Sequence, residues 1–326
     1  MRFQFYSEAL DNTPKLSVDG TVSNSIHFSH WEGNTTPAEV KADTSTEIAL
    51  NLVASPNRAA LTQGIELVVN NHFDTDGVLS VWSVLNGESA LEFRDLLVSA
   101  AEAGDFSEHT SDDGVKVSIA IQGLNQAGSD NEDASPLASF LAGHPVDDDS
   151  QSYDLILPEV ERLLSDVDAY ESLWRNGWTN VATALESFAR GDSRVVEHED
   201  SRISLVTLAP GLSQWLMAVS KHARGEMFLI ATPVSGGWTY RLDYPYYSWA
   251  ETVVRPEIPR RDLIRVLAIL NIKEGLSSGG WKIDEREMTS AAKFFNADGR
   301  LVGVSQLEPD EVLAVLSTEQ VQTTTF

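Results

Sequence analysis

The apolar residues of the first half fall into two rhythms. Ser25–Trp31 (SIHFSHW) is strand-like, and Ile65–Asn71 (IELVVNN) reads as a second strand. Between them, PAEVKADTSTEIALNLVA reads as a helix, with Thr36 as N-cap and Pro37 at the first helical position. VLSVWSVLN after Gly77 predicts another helix, and SALEFRDLLVSAAEAG a third that closes on Gly104 as its C-cap glycine. Strands alternating with helices predict an α/β fold with an open, mainly parallel sheet. From Asn125 to Ser152 the pattern gives way to GSDNEDASP and GHPVDDDSQS, an acidic, helix-breaking connection. It separates an N-terminal α/β domain, 1–150, from a second part, 151–326. That part opens with a helical connector over Pro158–Arg190, its apolar face formed by Val160, Leu163, Leu164, Val167 and Trp174. A break is expected near Asn176-Gly177. Strands near 202–208, 227–233 and 238–243, with helices near 211–223 and 260–271, make the rest a second, smaller α/β domain.

Composition narrows the chemistry. A chain of 326 residues with 42% hydrophobic content and a mean hydropathy of -0.17 can bury a substantial core. No apolar run reaches membrane-spanning length, and MRFQFYSEALDN lacks the pattern of a secretory signal. A cytoplasmic protein without a membrane partner is expected. Zero cysteines leave oxygen and imidazole as the metal ligands, which favours Mg, Mn or non-thiolate Zn and Fe.

The net charge of -26 excludes general coating of nucleic acid, which needs a basic footprint. Most of these charges read as a solvated surface. Their distribution is uneven. Residues 1–150 hold 24 Asp+Glu against 6 Lys+Arg, whereas 221–300 hold 12 basic residues against 10 acidic. An acidic half suited to a cation precedes a half with arginines suited to an anion.

The densest chemistry is VVNNHFDTDGVLS, residues 68–80. Two valines lead out of the expected strand, and a bend at Gly77 lets His72, Asp74 and Asp76 converge on one ion. Carboxylates that close repel unless a cation or proton lies between them. The end of a strand in an open α/β sheet is also where such folds bind ligands. The plain alternative is an Asp-Gly turn with solvated aspartates.

His72-x-Asp74-x-Asp76-Gly77, with Ser80 after it, resembles the first motif of the DHH phosphoesterase superfamily. The resemblance implies hydrolysis of phosphodiesters, pyrophosphate or polyphosphate with two Mn or Mg ions, and His72, Asp74 and Asp76 as metal ligands. Asp105, in AEAGDF, stands where the family requires a further aspartate. Ser277-Ser278-Gly279-Gly280 echoes a C-terminal GG element used on substrate. No Asp-His-His triplet occurs in the chain, and this absence supports an alternative: a non-catalytic binding or regulatory protein with a decayed site. Phe73-Asp74-Thr75-Asp76-Gly77-Val78-Leu79 is similar to the first motif of haloacid-dehalogenase-type phosphatases. That resemblance implies Asp74 as nucleophile and Asp76 as acid/base.

Five of the seven histidines precede residue 150, which suits a metal centre. His30 ends the first strand and is a candidate ligand if that strand neighbours the second, with Asp43 just beyond it. His109 follows Asp105 at helical spacing, but it and His144 read as loop residues. Residues 240–265 are rich in arginine and aromatics. Arg241, Arg255 and Arg260 are candidates to clamp a phosphorylated substrate, and Tyr244, Tyr246, Tyr247 and Trp249 to stack a base. Together these features predict a metal-dependent phosphoesterase or pyrophosphatase-like hydrolase, with Asp74 and Asp76 catalytic. His30, His72, Asp74, Asp76 and Asp105 hold Mn or Mg in that reading. The expected partner is a small phosphorylated molecule or short nucleotide, and a homodimer is an allowed assembly.

Overall fold

A computed structural model describes residues 1–124, 135–212, 216–275, 279–284, 289–299 and 301–318. The chain divides into two compact units. One comprises Met1–Thr179 with Trp249–Pro256, the other Asn180–Ser248 with Glu257–Phe326.

The first unit contains β1 (Arg2–Phe3), β2 (Lys15–Val18), β3 (Ile26–Phe28), α1 (Ser45–Ala54), α2 (Arg58–Leu61) and β4 (Leu67–Val69). Helices α3 (Thr75–Asn86), α4 (Arg94–Asp105), α5 (Asp112–Gln122), α6 (Pro136–Ala142), α7 (Asp149–Ile156) and α8 (Val160–Ser165) follow. The strands form one sheet in the order β1-β4-β2-β3, every pair parallel. This is the expected α/β fold with a parallel sheet. Leu16, Val18, Val68 and Val69 are buried in it, and Ile48, Leu52, Val78 and Val81 of the helices join the core. Parallel strands point their carboxyl ends the same way, so the loops after β2, β3 and β4 emerge together.

Helix α9 (Glu171–Arg190) carries the chain into the second unit. Its elements are β5 (Arg194–His198), β6 (Ile203–Thr207), α10 (Leu216–His222), β7 (Met227–Val234), β8 (Gly237–Asp243), α11 (Ile264–Glu274), β9 (Gly279–Lys282), β10 (Ser290–Asn296) and α12 (Pro309–Leu316). Its six-stranded mixed sheet, β5-β6-β7-β8-β10-β9, is parallel only between β6 and β7. Tyr240, Trp281 and Phe294 pack with α11 and α12 in its core. No helix among the described residues is long and apolar enough to cross a membrane.

Several boundaries differ from the sequence expectation. The first helix begins at Ser45, capped by Thr44, whose side chain accepts from Glu47 N. Thr36 instead spends its hydroxyl on Ser29, accepting from its N–H and donating to its carbonyl. Gly104 lies inside α4, where an added Cβ would sit 2.9 Å from Thr75 Cβ, so close helix packing explains that glycine. Helix α9 runs unbroken through Asn176-Gly177, where an added Cβ at Gly177 would lie 2.8 Å from Leu124 Cδ1. The acidic connection contains α6 and the start of α7, with its residues 125–134 outside the described ones.

Candidate metal centre

The site grows from the three strand ends. After β2 the chain turns at Asp19, whose φ of 52° is unusual for a residue with a side chain, and Gly20 follows. Asp19 is fully buried. After β3 comes His30, also buried. After β4, the Asn70 side-chain carbonyl accepts from the N–H groups of Asn71 (2.5 Å) and His72 (3.1 Å). This local turn swings His72 and Asp74 toward Asp19. Asp74 then caps α3, its Oδ1 accepting from Gly77 N at 2.7 Å, and Asp76 follows in the first helical turn. An added Cβ at Gly77 would lie 2.5 Å from Asn70 Nδ2 and 2.6 Å from Tyr153 Oη, so only glycine fits that bend. Asp105 comes from the end of α4.

Two ligand groups result. Asp19, His30, Asp76 and Asp105 present donor atoms within 4.8 Å of one another, and so do Asp19, His72 and Asp74. Asp19 belongs to both. His30 Nε2 lies 3.4 Å from Asp19 Oδ1, 3.7 Å from Asp76 Oδ2 and 3.2 Å from Asp105 Oδ2. His72 Nε2 lies 3.1 Å from both Asp19 Oδ2 and Asp74 Oδ2.

The surrounding bonds fix these atoms. His30 Nδ1 donates to the Asp43 carbonyl at 2.7 Å, so Nε2 is left facing the carboxylates. That nitrogen is buried and attracted to three carboxylates, yet makes no well-directed hydrogen bond. Asp76 accepts from the N–H groups of Ser45 (2.7 Å) and Thr46 (2.6 Å) at the positive end of α1. Ser45 Oγ donates to Asp19 Oδ1 at 2.8 Å.

Four carboxylates against two imidazoles leave an excess of negative charge, which protons must absorb when no cation does. Burial, then the Asp19 charge, pushes Asp76 up to about 7 against the pull of His30. Burial and the charges of Asp74 and Asp76 hold Asp105 well above the carboxylate range. His30 is raised despite its burial by Asp105 and Asp19, and His72 despite its burial by Asp74 and Asp19. Asp19 alone is lowered, because both imidazoles outweigh its burial. A buried oxygen and imidazole set with surplus negative charge and an undirected His Nε2 can hold a divalent cation.

The structure thus gathers His30, His72, Asp74, Asp76 and Asp105. Asp19 completes the set and was not among the sequence candidates; the Asp-Gly after KLSV is the one local signal that could have found it. His109 stands apart, paired to Asp112 at 2.9 Å and stacked on Trp178.

The arginines expected at a substrate have protein partners. Arg255, in the first unit, pairs with Asp43 (2.8 Å), Glu102 (2.7 Å) and Glu108. In the second unit Arg241 pairs with Asp243, and Arg260 lies over the Tyr244 ring at 4.2 Å. Tyr244 and Tyr246 are buried. Gly279 and Gly280 begin β9, while Ser277 and Ser278 lie outside the described residues.

The model of a family described as "Family of unknown function (DUF6687)" matches residues 1–322. A search of the curated proteins found no match. Among solved structures, the chain is similar to "pGpG-specific phosphodiesterase - PggH from Vibrio cholrae" at a TM-score of 0.34 and 12% identity. The likeness covers 93% of this chain and 82% of that one, and is too slight to bear on chemistry.

Proposed function

The chain belongs to that family of unknown function, and we propose that it is a divalent-metal-dependent hydrolase of phosphate esters. One observation carries the reading: two Asp/His groups share the buried Asp19, and His30 Nε2 faces three carboxylates without a directed hydrogen bond. A carboxylate shared between two ligand groups is placed to bridge a pair of neighbouring cations. The resemblance of His72-x-Asp74-x-Asp76-Gly77 to the first DHH motif supports the same reaction class.

The ligands proposed are Asp19, His30, His72, Asp74, Asp76 and Asp105, and the metal Mn or Mg, as an oxygen-rich set without thiolates favours. A divalent cation bound there supplies positive charge for a phosphoryl group and lowers the pKa of water. The chain's own residues do the rest. Asp43 orients His30, Ser45 and Thr46 hold Asp76, and the Asn70 turn aims His72. His72 and Asp74, with side chains 28% and 25% exposed, form the face that a small phosphorylated molecule or short nucleotide would meet. The haloacid-dehalogenase reading has less support, because Asp74 Oδ1 caps Gly77 and Oδ2 faces His72.

Metal analysis of the dialysed protein, beside an Asp74→Asn/Asp76→Asn double variant, tests the centre. Equal metal in both would overturn it. Hydrolysis of bis(p-nitrophenyl) phosphate and of pyrophosphate with Mn tests the reaction. Metal binding without hydrolysis would replace an enzyme with a binding or regulatory protein.

A further inference from the structure

The two ligand groups are enclosed very differently. The side chains of His30 and Asp76 are 0% exposed and that of Asp105 is 5% exposed, whereas His72 and Asp74 reach solvent. Trp249–Pro256, a strap from late in the sequence, covers the first group on its His30 side. Trp249 meets the His30 ring edge-on at 4.9 Å, while Phe106 packs against the same imidazole at 5.7 Å.

Three latches hold the strap. Glu251 N donates to the His30 carbonyl at 2.8 Å. The Glu251 carboxylate accepts from Gly33 N (3.0 Å) and Asn34 Nδ2 (2.8 Å). The Asp43 carboxylate receives the N–H groups of Val253, Val254 (2.8 Å) and Arg255 (3.1 Å) and the Arg255 guanidinium, which Glu102 and Glu108 also hold. Asp43 thereby serves both purposes: its carbonyl orients His30 and its carboxylate fastens the strap above that residue.

Resting on the divalent-cation reading, we infer that the centre has two unequal cation positions: a closed one at His30, Asp76 and Asp105 that the strap seals, and an open one at His72 and Asp74 that exchanges freely. The closed ion is retained and enters or leaves only when the strap lifts. The open ion turns over with solvent, on the side where ligand is met. Arg255 and Glu251 are positioning residues, since they act through His30 and the strap rather than by touching the ion.

The test is release of Mn from the loaded full-length protein into excess EDTA, followed by the electron paramagnetic resonance signal of the chelated ion. Wild type is expected to release Mn in two phases of equal amplitude. Arg255→Gln is expected to speed the slow phase about tenfold or more while leaving the fast phase within about twofold, as an opening step rather than ligand strength sets the slow rate. Glu251→Gln, on the exposed surface, gives the same selective change in smaller measure and keeps the test open if Arg255→Gln misfolds. His72→Ala removes the fast phase alone. A single phase in wild type, or a slow phase indifferent to Glu251→Gln and Arg255→Gln, would overturn the inference. Failure to retain any Mn would instead overturn the metal reading beneath it.

Discussion

Raising the pH of the metal-free protein ionises Asp76 with no cation to receive the charge. The carboxyl titrates near 3.8 in an unfolded chain and is pushed up to about 7 in the fold. A difference of roughly 3 units corresponds to roughly 4 kcal/mol of destabilisation once both states are ionised. Because the folded value is the higher one, the stability is full below the unfolded value and is lost as pH rises through about 7. Asp105, His30 and His72 are raised as well and act in the same direction. Asp19 is lowered, so its contribution is lost only on acidification and plays no part near neutrality.

A divalent cation replaces those protons and abolishes the loss. At about 2–4 °C per kcal/mol, Mn is expected to raise Tm by roughly 10 °C at about pH 8. The gain should be about half of that at about pH 5.5. Differential scanning calorimetry with and without Mn at the two pH values measures it. Asp76→Asn is expected to flatten the pH dependence of the metal-free protein. A metal-free Tm that holds or climbs between the two pH values, or an equal gain from Mn at both, would refute the linkage of protons to the cation site.

Three further outcomes are expected. Asp19→Asn should weaken Mn binding in both ligand groups, because each contains Asp19, whereas His72→Ala should lose one equivalent, as equilibrium titration of free Mn by electron paramagnetic resonance would show. Gly77→Ala should destabilise the fold by about 2–3 kcal/mol, read from urea midpoints, because its Cβ would overlap Asn70 and Tyr153. Asp43→Asn should destabilise by about 2 kcal/mol in the same assay, since it removes the charge that pairs with Arg255 and receives three strap N–H groups.

The sequence displayed the parts of the centre that are local. His72, Asp74 and Asp76 lie within five residues, and a strand-like run precedes them. Asp19 was hidden because β2, KLSV, does not look like a core strand. Its Lys15 is buried with the ammonium donating to the carbonyls of Leu10, Asp11 and Asn24, a compensation that only three dimensions display. The helix expected to start at Thr36-Pro37 starts at Ser45 instead, because the Thr36 hydroxyl is committed to Ser29 and Thr44 supplies the cap. Asp43 and Arg255 stand 212 residues apart, so no periodicity or spacing could join them. Of the arginines in 240–265, Arg255 has this distant carboxylate partner, whereas Arg241 pairs with the nearby Asp243 and Arg260 lies over the Tyr244 ring.

That separation also has a consequence in time. All six proposed ligands lie between Asp19 and Asp105, so during translation they leave the ribosome well before Trp249 has been added. At about 5–20 residues per second, the interval from Asp105 to Arg255 lasts roughly 7–30 seconds. For that period the ligand residues have been synthesised and the Trp249–Pro256 strap has not. On the divalent-cation reading, the closed position is thus accessible to any ion present during those seconds, before the strap first restricts its exchange.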